Sequence, residues 1–261
     1  IELLLCANRA GKKVAAATPE STAPVAWSAH LRWIVFAFLP SSLMMGLTFY
    51  AATTIISMPL LWVIPLGLYL LTFVVAFSER GNICFDWVTR AQPIAVTLAV
   101  ATLFLTPGTI NGLEVFALHA AAFTIVSLLC HLQLSRSRPP NSERDLTLFY
   151  LFLAAGGALG GVFNAFIAPV AFNSAVEYPV LLVASGLLNP SFRFRRWDLL
   201  WLLVAAGIAF AEFTEPAVAS AAAELIGVAK LAIVAFILIA VHPRAAIVGC
   251  AILVFGALQH L

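Results

Sequence analysis

Thirteen of the fourteen Lys and Arg residues fall in every second gap between the apolar stretches of this chain, and the intervening gaps hold acids or no charge. The basic gaps carry Arg9, Lys12, Lys13 and Arg32, then Arg80 and Arg90, then Arg136, Arg138 and Arg144, then Arg193, Arg195 and Arg196, then Arg244. Only Lys230 sits inside an apolar stretch. Cytoplasmic loops retain Lys and Arg, so this alternation describes a polypeptide threaded back and forth through a bilayer, with the amino end inside. Composition agrees: with 62% hydrophobic and 10% charged residues, the chain carries more apolar surface than one water-soluble core can bury. A net charge of +2 spread by topology forms no patch, which sets nucleic acid aside as a partner.

About 20 apolar residues cross the hydrocarbon layer as a helix. Runs of that order, bounded by charge, Pro, Gly or Asn, predict an all-α, polytopic bundle of eight or nine transmembrane helices. After a cytoplasmic lead segment over 7–30, an amino-terminal half (1–134) holds spans at about 31–54, 58–78, 92–107 and 112–134. A polar cytoplasmic linker, 135–145, leads to a carboxy-terminal half (146–261) with spans at about 146–171, 176–190, 197–213, 219–241 and 244–261. The 176–190 stretch is short and holds Glu177, Pro179 and Pro190, so it reads as tilted, broken or re-entrant. Ile1–Cys6 reads as the tail of a helix, and the last stretch runs to Leu261 without a flanking loop, so the sequence reads as a fragment of a longer chain. No signal-peptide pattern opens it.

Gly156, Gly157, Gly160 and Gly161 form two overlapping small-xxx-small patterns on the fifth helix. In lipid, helix association rests on close backbone approach, so these glycines predict a packing seam, static or sliding. The tryptophans at 27, 33, 87, 197 and 201 are expected at the inner headgroup boundary and Trp62 between helices.

Ionisable and polar groups at membrane depth are costly and become functional candidates. Lys230 lies near mid-depth, His119 in the outer half of its helix, and Tyr50, Thr54 and Asn164 in the outer halves of theirs. Glu177 and Glu212 lie at the outer boundary. One reading is a polar outer vestibule in which Lys230 faces a carboxylate from Glu177 or Glu212 and a cationic solute is accommodated. The other is that Lys230 snorkels to the interface and the acids are wet loop residues. The five histidines contain no pair four apart, and the four cysteines show no paired spacing, so no metal, haem or other cofactor is expected.

Two stretches resemble a known family. Pro40-Ser41-Ser42-Leu43, Pro59-Leu60-Leu61-Trp62-Val63-Ile64-Pro65-Leu66, and Gly156-Gly157-Ala158-Leu159-Gly160-Gly161 followed by Phe163-Asn164 and Glu177-Tyr178-Pro179 are similar to the membrane region of bacterial fused major-facilitator-like/spermidine-synthase-like proteins. The likeness covers residues 39–77 and 147–190, about a third of the chain. It implies a multi-pass domain of a bacterial cytoplasmic (inner) membrane that, in longer members, precedes a soluble aminopropyltransferase-like domain. No Gly-rich nucleotide-binding turn with acids beyond it occurs here, so no catalytic residue is carried over. Three functions follow as expectations: a transporter-like domain for a small cationic solute, a noncatalytic structural or accessory subunit of a larger membrane complex, or the anchor of a missing aminopropyltransferase domain.

Overall fold

The computed structural model describes residues 26–55, 60–78, 81–102, 111–139, 143–171 and 177–191. They are 91% helical with no strand, so the described part of the chain is all-α. In chain order the helices are α1 (Trp27–Tyr50, continued by a π-helical turn Ala51–Ile55), α2 (Val63–Phe77), α3 (Gly81–Thr102), α4 (Gly112–Arg136), α5 (Glu143–Val162), a π-helical turn Phe163–Ile167, α6 (Ala168–Ala171) and α7 (Glu177–Ala184), which ends in a 3-10 turn Ser185–Leu188. Among the described residues, three continuous helical runs are long and apolar enough to cross a membrane: Trp27–Thr53, Gly112–Arg136 and Arg144–Ala171.

Local sequence explains several boundaries. Asn111 caps α4, its side-chain oxygen accepting from the Leu113 N–H at 3.0 Å, while Glu114 in the first turn and Arg136 in the last complement the helix dipole. Pro65 and Pro179 lie in the first turns of α2 and α7, where no helical N–H bond is lost. Pro40 and Pro93 lie inside α1 and α3 and each removes one backbone donor. The helix over the expected span 92–107 begins at Gly81, because helical bonding continues back past the exposed Arg90. The 176–190 stretch is α7 plus its 3-10 turn, about 20 Å long at ordinary rises, against about 30 Å of hydrocarbon.

α4 is the central element and packs on α1, α2 and α3; α1 also packs on α5, and α7 lies against α1 and α3. The main core brings together Leu39, Leu43 and Leu47 of α1, Val96, Ala99 and Val100 of α3, Phe123 and Val126 of α4, and Tyr178 and Leu182 of α7. Their three- and four-residue spacing gives each helix one buried stripe.

The helices alternate in direction. Trp33 of α1, Leu134 of α4 and Phe149 of α5 form one cluster, and Ala76 of α2, Val88 of α3 and Leu129 and Leu132 of α4 another, all near the Arg-bearing helix ends. At this basic end the Arg136 guanidinium lies 3.4 Å from the Phe85 ring centroid. The last residues of α1 and α3 meet the first turns of α4 and α7 at the other end.

Two of the four glycines of α5 lie at a close contact with α1. A Cβ on Gly156 would stand 2.5 Å from the Ile34 carbonyl, and one on Gly160 would stand 2.7 Å from the Phe38 carbonyl, so α1 and α5 touch backbone to backbone. Gly157 has open space and Gly161 only the Met45 sulfur at 3.8 Å. Ser41 donates across the seam to the Gly157 carbonyl at 2.8 Å.

Two tryptophan expectations are corrected. Trp62 does not pack between helices: it stands at the start of α2, 53% exposed, ahead of the first buried turn. Trp33 is a core residue at 2% exposure, edge-on to Phe149, because it falls on the stripe of α1 that faces α4 and α5. Trp27 and Trp87 are exposed.

Candidate functional site

Two of the polar residues singled out in the sequence, His119 and Tyr50, meet at the end opposite the basic loops. His119, fully buried in the second turn of α4, lies 5.1 Å from the Tyr50 ring, centroid to centroid. Tyr50, the last residue of α1, stacks on Tyr178 at 5.3 Å, and Tyr178 follows Glu177 at the start of α7.

Hydrogen bonding fixes the direction of this cluster. The Thr102 hydroxyl donates to the Ala99 carbonyl at 2.7 Å, so toward His119 its oxygen accepts, receiving the Nε2–H at 2.8 Å. The lone pair of Nδ1 is then left to accept the Tyr178 hydroxyl proton at 3.0 Å. A polar chain runs from α7 through α4 to α3, with His119 held as one neutral tautomer. Such closure is what a low-dielectric interior demands of buried polar groups.

Asn164 joins this region from the other side. It sits in the π-helical turn after α5 and donates to the Ser42 carbonyl (3.2 Å), the Ser42 hydroxyl (2.6 Å) and the Gly160 carbonyl (3.0 Å). Gly46 lets the two groups approach: a Cβ there would lie 3.2 Å from the Tyr178 Cβ and 3.6 Å from Asn164 Oδ1. π-helical turns thus follow both α1 and α5 next to this cluster, and wide turns of that kind recur at functional positions. Thr54 lies within the first of them.

Glu177 opens α7 and is 5% exposed, with no ion pair among the described residues. The helix start favours a carboxylate there but does not neutralise it. Lys230 and Glu212 lie outside the described residues.

A second polar cluster, at the basic end, was not singled out from the sequence. Gln92 donates its amide to the Ser185 carbonyl at 2.9 Å and the Ser185 hydroxyl at 3.2 Å; that hydroxyl in turn donates to the Leu182 carbonyl. Asn189 donates to Gln92 Oε1 at 2.6 Å and to the Thr89 carbonyl at 2.9 Å, and its own oxygen accepts from the Ser191 N–H. Gln133 of α4 donates to the Leu188 carbonyl at 2.9 Å. The end of a short helix leaves its last carbonyls without intrahelical donors, and Gln133 supplies one to Leu188. The available signal was Gln and Asn within apolar runs.

His131 faces a different side of α4 from His119 and donates from Nδ1 to Thr72 Oγ1 at 3.1 Å, the Thr72 hydroxyl being spent on the Tyr69 carbonyl. No group of three or more His, Cys, Asp and Glu side chains able to hold a metal ion occurs among the described residues. No protein family, curated protein or solved structure matches the chain.

Proposed function

We propose that this chain is a transporter-like, multi-pass membrane domain of eight or nine spans that accommodates a small cationic solute, with its amino end in the cytoplasm of a bacterial inner membrane. The observation that carries the solute reading is Glu177, a buried carboxylate at the start of a broken helix with no cationic partner among the described residues. A carboxylate withdrawn from water needs a counter-charge, and a cation arriving from solution supplies one. Half-length helices that present their ends inside the bundle suit this use. Lys230, near mid-depth by sequence, is the internal competitor for the same carboxylate. The resemblance of residues 39–77 and 147–190 to the membrane region of spermidine-synthase-like fusions supports the reading of a noncatalytic membrane domain.

Thermal unfolding with and without spermidine as the probe cation tests this. The parent protein is expected to be stabilised, by about 2.7 kcal/mol at a hundredfold excess over Kd, and Glu177→Gln is expected to lose the response. No response in the parent, or an equal one in Glu177→Gln, contradicts the solute reading.

One observation favours the second reading, a structural or accessory subunit. Within its most apolar eighteen residues the Arg144–Ala171 run has 17% buried against 61% for α4, and Leu151, Leu159, Phe166 and Val170 face outward. A partner membrane subunit on that face makes the same surface an interface. Co-purification of a stoichiometric second membrane chain, with no cation response, favours it over transport.

A further inference from the structure

The segment 177–191 is tied into the bundle in two chemically different ways. At its Tyr178 end the attachment is mostly aromatic: Tyr178 is fully buried, stacks on Tyr50, and adds one hydrogen bond to His119. At its Asn189 end the attachment is a set of side-chain amides, concentrated on one pair. Gln92 and Asn189 bond to each other and between them hold Ser185 and the Thr89 carbonyl.

That carbonyl is available because of the sequence of α3. Pro93 has no N–H, so the acceptor four residues before it, Thr89, has no helical donor. The joint therefore takes up a carbonyl that helix geometry leaves open on each side, that of Thr89 on α3 and that of Leu188 at the end of the segment, and adds a second donor to the Ser185 carbonyl. Each of these bonds is one that water can replace once it reaches the amides. The stack of Tyr178 on Tyr50 at the other end gains nothing from water. The segment ends in a 3-10 turn, whose hydrogen bonds are poorer than those of an α-helix, and Leu187 on its outer side is 63% exposed, so no described residue closes over it.

We propose that residues 177–191 form a strap, hinged at Tyr178, that opens at its Asn189 end by release of the Gln92–Asn189 amide pair and so gives water and solute a route from the basic end to the His119–Tyr178–Tyr50 cluster. The inference deepens the transport reading and rests on it. It names the moving part and the side from which the site is reached. Opening requires a small segment to leave while α1, α3, α4 and α5 stay packed, a sub-global event of the kind that hydrogen exchange resolves.

The test is hydrogen–deuterium exchange of the full chain in nanodiscs without solute. Amides of 177–188 are expected to exchange about tenfold or more faster than those of 119–132 in α4. Gln92→Leu is expected to accelerate the 184–191 part of the segment more than its Tyr178 end and to leave α4 unchanged. Protection of 177–188 equal to that of α4 in the parent protein overturns the strap without recourse to any variant. So does loosening by Gln92→Leu that spreads evenly over the bundle. The cation response of Glu177 is read separately by thermal unfolding, so a fast-exchanging segment with no cation response removes the transport reading, and a rigid segment with a cation response removes the strap.

Discussion

Asn189 donates its side-chain amide at 2.9 Å to the carbonyl of Thr89, a residue one hundred positions earlier whose helical donor is missing because Pro93 follows four residues on. A proline that would leave an unsatisfied acceptor in an apolar interior is thus matched by an amide from another helix. The relationship predicts a coupling. Asn189→Leu is expected to destabilise the parent by about 1–3 kcal/mol, the cost of an open buried acceptor. The same change in a Pro93→Ala background, where the substituted residue returns a backbone N–H to the Thr89 carbonyl, is expected to cost measurably less. Equilibrium unfolding in mixed detergent micelles checks the double-mutant cycle, and strict additivity contradicts the pairing.

The glycine seam predicts opposite behaviour from adjacent residues. Gly156→Ala puts a methyl into the Ile34 backbone and is expected to cost about 1–3 kcal/mol, since a carbonyl cannot swing aside as a side chain does. Gly157→Ala meets nothing and is expected to be neutral or to stabilise by up to about 1 kcal/mol through helix propensity. Equal destabilisation by both, measured by the same unfolding assay, contradicts the assigned face.

The polar chain predicts a loss on removal of one oxygen. Tyr178→Phe keeps the stack on Tyr50 but leaves Nδ1 of His119 with no donor in a fully buried site. Destabilisation of about 1–3 kcal/mol is expected. His119→Phe with Tyr178→Phe, which removes both polar partners, is expected to recover part of that loss. A silent Tyr178→Phe substitution contradicts the assigned bond.

Much of the described fold is legible in the sequence because long apolar runs bounded by charge allow few solutions. Apolar length gives the helices, and the alternation of Arg between gaps agrees with their alternating direction in the structure. The glycines at 156 and 160 announce a close contact, though sequence periodicity does not reveal that α1 is the partner or that Gly157 and Gly161 face elsewhere. His119 and Tyr50 stand out as polar residues in apolar runs, and the structure brings them together. Their connectors do not stand out. Thr102 and Tyr178 look ordinary alone, and the pairing of Gln92 with Asn189 depends on a helix that stops short within the bundle. Trp33 is buried and Trp62 exposed, against expectation, because burial follows the packed stripe of each helix, and depth alone does not report it.

The threading itself is tested most directly by thiol labelling from one side of oriented vesicles, in a chain whose four native cysteines are replaced. Single cysteines at Ser137, beside Arg136 and Arg138, and at Thr109, in the uncharged gap before α4, are expected to label from opposite faces, Ser137 from the cytoplasmic one. Labelling of both positions from the same face contradicts the serpentine path and the bilayer-spanning bundle built on it.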